Sequence, residues 1–161
     1  GEPARIWLLY GDRDARLNEL LLAISGPERP VLAQLYRTLR ELSQTANPLT
    51  TDNRTLTALV TSAGCDRVSD DTISAGLGVL EELGLIEREV EERQRYIHVL
   101  ARPATKLDLE MSVRFREARA EKEAFAEFSA AALTAPADDL LAAINRPLYP
   151  SAATSPKEEA R

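Results

Sequence analysis

Two side chains that dominate enzyme chemistry are almost missing, since the 161-residue chain carries one His and one Cys. The lone Cys65 excludes an internal disulfide framework and fits a reducing compartment. With His98 it cannot build a zinc site unless several carboxylates converge on them. Aromatic residues make up only 5% of the chain, so Leu, Ile, Val and Ala must supply most of the packing. No apolar run approaches the roughly 20 residues of a membrane span, and no signal peptide opens the chain. Basic charge is also in deficit, with 20 Lys and Arg against 26 Asp and Glu for a net charge of -6. That balance argues against coating nucleic acid or an anionic membrane by bulk electrostatics. Gly1-Glu2-Pro3 stands where an initiator Met would be, so the chain reads as a piece of a larger, intracellular and cytoplasmic protein.

What is present suits a core: 44% of residues are hydrophobic, enough for one domain or slightly more. Gly76 and Gly78 form a G-x-G, but inside a helical pattern and without the preceding strand that a dinucleotide site needs. Cys65 is expected to be a buried or idle thiol, and His98 a strand histidine facing solvent or capping the core. The acidic residues are scattered, and no pair of carboxylates can be assigned to acid–base work. The chain is therefore not expected to be an enzyme by itself.

Four stretches follow one another: 1–26, 27–103, 104–148 and a tail, 149–161. In the first, Ile6 to Tyr10 reads as a buried strand or an extended docking segment stopped by Gly11-Asp12. Asp14 is the expected N-cap of a helix whose Leu17, Leu20, Leu21 and Ile24 share one face. In the second, Pro30 sits at a helix start, and Val31, Leu35, Leu39 and Leu42 repeat at helical spacing. Leu56, Leu59 and Val60 carry a shorter helix ending at Ala63-Gly64. Ser69 caps a third helix with Ile73, Leu77, Leu80 and Leu83 on one face, closed by Gly84. Arg88-Glu89-Val90 and Tyr96 to Val99 then read as strands around the charged turn Glu91 to Gln94. In the third stretch a long helix runs from Ser112 to about Leu133, with Phe115, Ala118, Phe125, Phe128 and Ala132 on one stripe. That stripe is expected to pack the helix back onto the middle module or the first helix. A second helix carries Leu140, Leu141 and Ile144 up to Asn145-Arg146-Pro147. The tail has nothing to bury and is expected to be disordered.

Three helices followed by a hairpin give a mainly α (α+β) chain: a winged helix-turn-helix core, a small β-hairpin wing and additional N- and C-terminal helices. Such a module ordinarily lays its third helix in the DNA major groove, where Arg or Lys meets phosphates and base edges. Here the third helix, from Ser69 through Glu82, contains no Lys or Arg, and residues 52–103 hold ten acidic against six basic residues. Carboxylates facing phosphates oppose binding, so a protein-contact role is expected ahead of DNA reading. The remaining DNA candidates are Arg88, Arg93 and Arg95 of the wing, as phosphate contacts. Arg114, Arg116, Arg119 and Lys122 crowd one end of the long helix and form a candidate partner surface. Glu117, Glu121 and Glu123 interleave them, so part of this charge is surface pairing one turn apart.

The segments Trp7-Leu8-Leu9-Tyr10-Gly11-Asp12-Arg13-Asp14, Asn18-Glu19-Leu20-Leu21 and Arg29-Pro30-Val31-Leu32 resemble the opening of the C-terminal domain of some RecJ-type exonucleases, which degrade single-stranded DNA from the 5′ end. Lys106-Leu107-Asp108-Leu109-Glu110, Phe115-Arg116-Glu117, Leu133-Thr134-Ala135-Pro136-Ala137 and Leu140 to Pro147 are similar to the end of such chains. The resemblance keeps its order over most of residues 5–148. It implies a non-catalytic accessory domain linking the nuclease to DNA-repair and recombination partners, such as a HerA-type translocase or helicase or the single-strand-binding protein. The divalent metal of that family belongs to a catalytic core that this sequence does not contain, so no cofactor and no catalytic residue carries over. The alternative is a winged-helix DNA-binding module of a transcriptional regulator.

Overall fold

A computed structural model describes residues 10–144. The expected strand at Ile6 to Leu9, the stop at Asn145-Arg146-Pro147 and the tail lie outside the described residues. The chain is mainly helical with one antiparallel hairpin: α1 (Asp12–Ser25), α2 (Arg29–Leu42), α3 (Asn53–Ser62), α4 (Asp70–Glu82), β1 (Ile86–Glu91), β2 (Gln94–Val99), α5 (Val113–Thr134) and α6 (Ala137–Ile144). One 3-10 turn, Leu109–Met111, leads into α5.

Local signals explain most of these boundaries. In α4 the Ser69 hydroxyl accepts the Thr72 N–H at 3.1 Å, and Thr72 Oγ1 accepts the Ser69 N–H at 3.3 Å. This reciprocal cap satisfies two of the amides that a helix start leaves open. Asp52 caps α3 through the Thr55 N–H at 2.7 Å, and Ser112 caps α5 through the Phe115 N–H at 3.2 Å. The N-terminal helix departs from expectation. Its cap is Gly11, and Asp14 sits in the first turn, where its carboxylate accepts the Gly11 N–H at 3.0 Å.

The core is built where α2, α3 and α4 meet. Leu35, Leu39, Leu56, Val60, Ile73, Leu77 and Leu80 are sealed there, and Leu49, Leu85, Ile86, Ile97 and Val99 close the cluster from the hairpin side. Each buried Leu or Ile contributes about 1.5–3 kcal/mol relative to exposure. A smaller cluster of Leu32, Val79 and Leu109 lies on the other flank of α4, with Leu107 and Phe115 against it. The strands run longer than the sequence suggested, pairing Ile86 with Val99 through Glu91 with Gln94. Only Glu92 and Arg93 form the turn, both at positive φ (46° and 71°). Leu49 adds an isolated bridge to Ile97 on the far edge of β2.

The outer elements are bound less tightly. Helices α1 and α5 run antiparallel: Tyr10 donates to Ser129 Oγ at 3.2 Å, while a Cβ on Gly26 would stand 2.5 Å from Ala118 Cβ. Only glycine allows that approach. The long α5 packs on α1 and α4, as its stripe predicted, yet none of its residues is fully buried. The apolar face of α1 is largely open. Leu17, Leu20 and Leu21 are 56%, 47% and 54% exposed, and Ala15 is the buried contact instead. Helical spacing marks an amphipathic face but does not say what covers it.

Candidate interaction surface around the third helix of the module

Helix α4 turns Ile73, Leu77 and Leu80 into the main core. At 100° per residue, the opposite face is Asp71, Ala75, Gly78 and Glu82. In a groove-reading helix this outward face would meet the ligand. Its first half is open and acidic, with Asp70, Asp71 and Ser74 exposed. Its second half is covered by the chain itself. Arg114 lies over Gly78, where an added Cβ would stand 3.2 Å from Arg114 Cδ and Nε. Gly76, on the neighbouring flank, admits Leu35 of α2 at 2.9 Å from the same kind of hypothetical Cβ. The two glycines of the G-x-G are thus packing positions for α5 and α2.

Glu82 fixes the start of α5 to α4. It accepts the Ser112 hydroxyl at 2.7 Å and the Arg114 N–H at 3.1 Å, and it pairs with Arg114 Nε at 2.8 Å. Ser112 is completely buried and at the same time caps α5. The Ser112 hydroxyl, and then the Arg114 amide and guanidinium, hold the Glu82 carboxyl below its ordinary value of 4.5. On the hairpin side, the Arg88 guanidinium does the same for Glu81, which it grips through Nε at 3.0 Å and through Nη2. Carboxylates with depressed folded values stabilise the protein above their unfolded values, and that stability disappears as pH falls through the folded values. Chemical denaturation should therefore show stability flat from neutrality toward pH 5 and declining below about 4.5. Glu82→Gln should blunt the decline, and an unchanged acid profile in that variant would reject the assignment.

The sequence-derived cations are distributed among these contacts. Arg88 is committed to Glu81, and Arg95 Nη2 donates to Asn53 Oδ1 at 2.7 Å. Arg93 stands exposed at the hairpin tip with no side-chain hydrogen bond or ion pair among the described residues. Two of the three wing arginines are therefore engaged within the chain, and by the register Arg88 and Arg95 share one face of the hairpin. In α5, Arg114 holds Glu82, Arg119 pairs with Glu110 and, at 3.5 Å, with Glu123, and Lys122 Nζ donates to the Gly26 carbonyl at 2.6 Å. Arg116 alone of that group is unengaged among the described residues. Arg114 and Lys122 thus fasten α5 to α4 and to the end of α1, while Arg119 pairs with the 3-10 turn and within α5. A cleft of about 290 Å³ remains beside it, lined by Ala75, Val79, Phe115, Ala118 and the Gly26–Arg29 connection.

The two chemistry-bearing side chains do not meet. Cys65 packs half-buried against the main core, and His98 Nε2 lies 3.4 Å from Glu89 on the neighbouring strand. Among the described residues no three His, Cys, Asp or Glu side chains converge as metal ligands, and no helix is long and apolar enough to cross a membrane. The residues that sequence reasoning missed are Glu81, Glu82 and Ser112. Each takes its partner from another element, and only Ser112, standing just before a helix, carried a local signal. No protein-family model, curated protein or solved structure matches the chain.

Proposed function

We propose that this chain is a winged-helix interaction domain, the non-catalytic C-terminal accessory part of a RecJ-like DNA-repair exonuclease, which binds protein partners and does not read DNA. The order α2, Leu49 bridge, α3, α4, β1, β2 supports the winged-helix reading. The single observation that carries the interaction role is the outward face of α4. It is acidic where open and covered by α5 at Gly78 and Glu82, so the surface that would enter a groove is closed to a polyanion. The family assignment rests on the resemblance of residues 5–148 alone. Within that reading a HerA-type translocase or the single-strand-binding protein is the partner, and the compartment is the cytoplasm.

An anisotropy titration against labelled single- and double-stranded DNA tests the division of roles. The expected result is no saturable binding at micromolar protein, even at low salt. Binding that weakens steeply with salt, and weakens further in Arg93→Ala and Arg95→Ala, would instead identify a phosphate-contacting wing. The DNA-binding module would then be the better description. Titration of the purified candidate partners is the companion measurement, and failure of both to bind would end the repair-partner reading.

A further inference from the structure

We propose that α1 pairs with the α1 of a second copy of this chain, antiparallel across a two-fold axis, through the seam Arg13, Leu17, Leu20 and Ile24. This inference is independent of the functional reading. The seam positions follow one another at steps of four, three and four residues. That is the period near 3.5 on which two helices interlock their side chains. Leu17 and Leu20 are 56% and 47% exposed, and Leu21 beside them is 54% exposed. At 100° per residue, Ala15 and Leu22 stand about 160° and 140° around the helix from Leu17. Ala15 is buried and Leu22 half-buried, on the side where α1 packs on α4 and α5. At the end of α1, Gly26 lies too close to Ala118 to admit any side chain. The helix is thus pinned by the face opposite the seam, and the leucines cannot roll inward without lifting that contact.

The one charge on the seam selects both the occupant and its direction. Arg13 is exposed in the first turn of α1. A parallel copy would set the two Arg13 guanidinium groups against each other. An antiparallel copy sets Leu17 opposite the second copy's Leu20, and Arg13 opposite its Ile24 in the last turn. The carbonyl end of a helix carries partial negative charge, and α1 has no basic residue of its own in that turn. Asp14, on the flank of the seam, is turned back onto the Gly11 N–H. The seam therefore complements itself in one direction only, as a two-fold interface requires. A strand is a poorer occupant, because its side chains alternate at a period of two. Two 14-residue helices meet over less than the roughly 800 Å² per partner of a standard interface. The pair is accordingly reversible, with a dissociation constant on the order of 100 μM.

Sedimentation velocity of the full 161-residue protein, over about a decade on either side of that constant, reads the pairing directly. The expected result is a rise from monomer to dimer across the range. Leu17→Glu and Leu20→Glu replace half-exposed side chains, so helix content by circular dichroism should be unchanged while both variants stay monomeric. Arg13→Glu should weaken the dimer several-fold. In a Cys65→Ser background, an equimolar mixture of Arg13→Cys and Ile24→Cys proteins should oxidise mainly to the mixed disulfide dimer. Three results would each overturn the proposal. One is a monomer at every concentration. Another is a dimer that survives both leucine variants, which would put the contact elsewhere. The third is preferential Arg13→Cys homodimer in the mixture, which would make the helices parallel.

Discussion

Leu77→Ala is expected to lower the unfolding free energy by about 3–5 kcal/mol, the upper part of the range for truncating a core leucine. Leu77 has no exposed surface and belongs to the cluster that α2, α3, α4 and the hairpin all enter. The surrounding elements are fixed from several directions, so collapse into the void is restricted. The residue next to it, Gly76, already lets Leu35 approach to the limit of contact, which leaves α2 little further travel. For a domain of marginal total stability, a loss of this size puts the variant close to unfolding at physiological temperature. Urea titration monitored by circular dichroism measures it. A loss below about 1 kcal/mol would mean that the α2–α4 packing is loose enough to close over the void.

Ser112→Ala should have the next largest effect, about 1–3 kcal/mol, because one hydroxyl serves two elements. It accepts the Phe115 amide as the cap of α5 and donates to Glu82 on α4 from a fully buried position. Its removal opens the first turn of α5 and takes from Glu82 the hydrogen bond that does most to hold its carboxyl down. The distinguishing readout is local. Limited proteolysis should cut within α5 well before the α2–α4 core is attacked, since no residue of α5 is fully buried. Equal protection of both regions in the variant would show that α5 is not held chiefly through Glu82.

The middle of the chain was legible because its signals are local. Ser69 with Thr72 announced the start of α4, Gly84 its end, and the Leu35–Leu39 and Ile73–Leu77–Leu80 spacings named the core face. The hairpin followed from two strand-like runs around a charged turn. Where the reading went astray, the deciding partner lay far away in sequence. Asp14 looks like a cap on composition alone, yet the extended backbone at Gly11 puts the helix start three residues earlier. Leu17, Leu20 and Leu21 share one helical face, and spacing alone does not reveal that α1 buries Ala15 and leaves them exposed. Among the cations of α5, Arg114 meets a carboxylate 32 residues upstream, a pairing that spacing along one helix does not show. Charge in sequence is only potential charge at the surface until its pairing is known.

Both edges of the two-stranded hairpin are met by residues from outside it. On β2, Leu49 exchanges both backbone hydrogen bonds with Ile97 at 2.8 and 3.0 Å. The Asn47 amide continues that edge like one more strand residue, accepting from the Val99 N–H at 2.9 Å and donating to its carbonyl at 3.0 Å. On β1, the Arg88 N–H turns away from β2 and is taken by Glu81 at 3.3 Å. An uncovered strand edge templates pairing with other chains, and a hairpin this short would otherwise offer two. Here Leu49 and Asn47 take the outward groups of Ile97 and Val99, and Glu81 takes the Arg88 N–H, so the inner half of each edge is already engaged. The fold thereby shortens the free edge to the tip of the hairpin, and it does so with residues that flank the hairpin rather than with the hairpin itself.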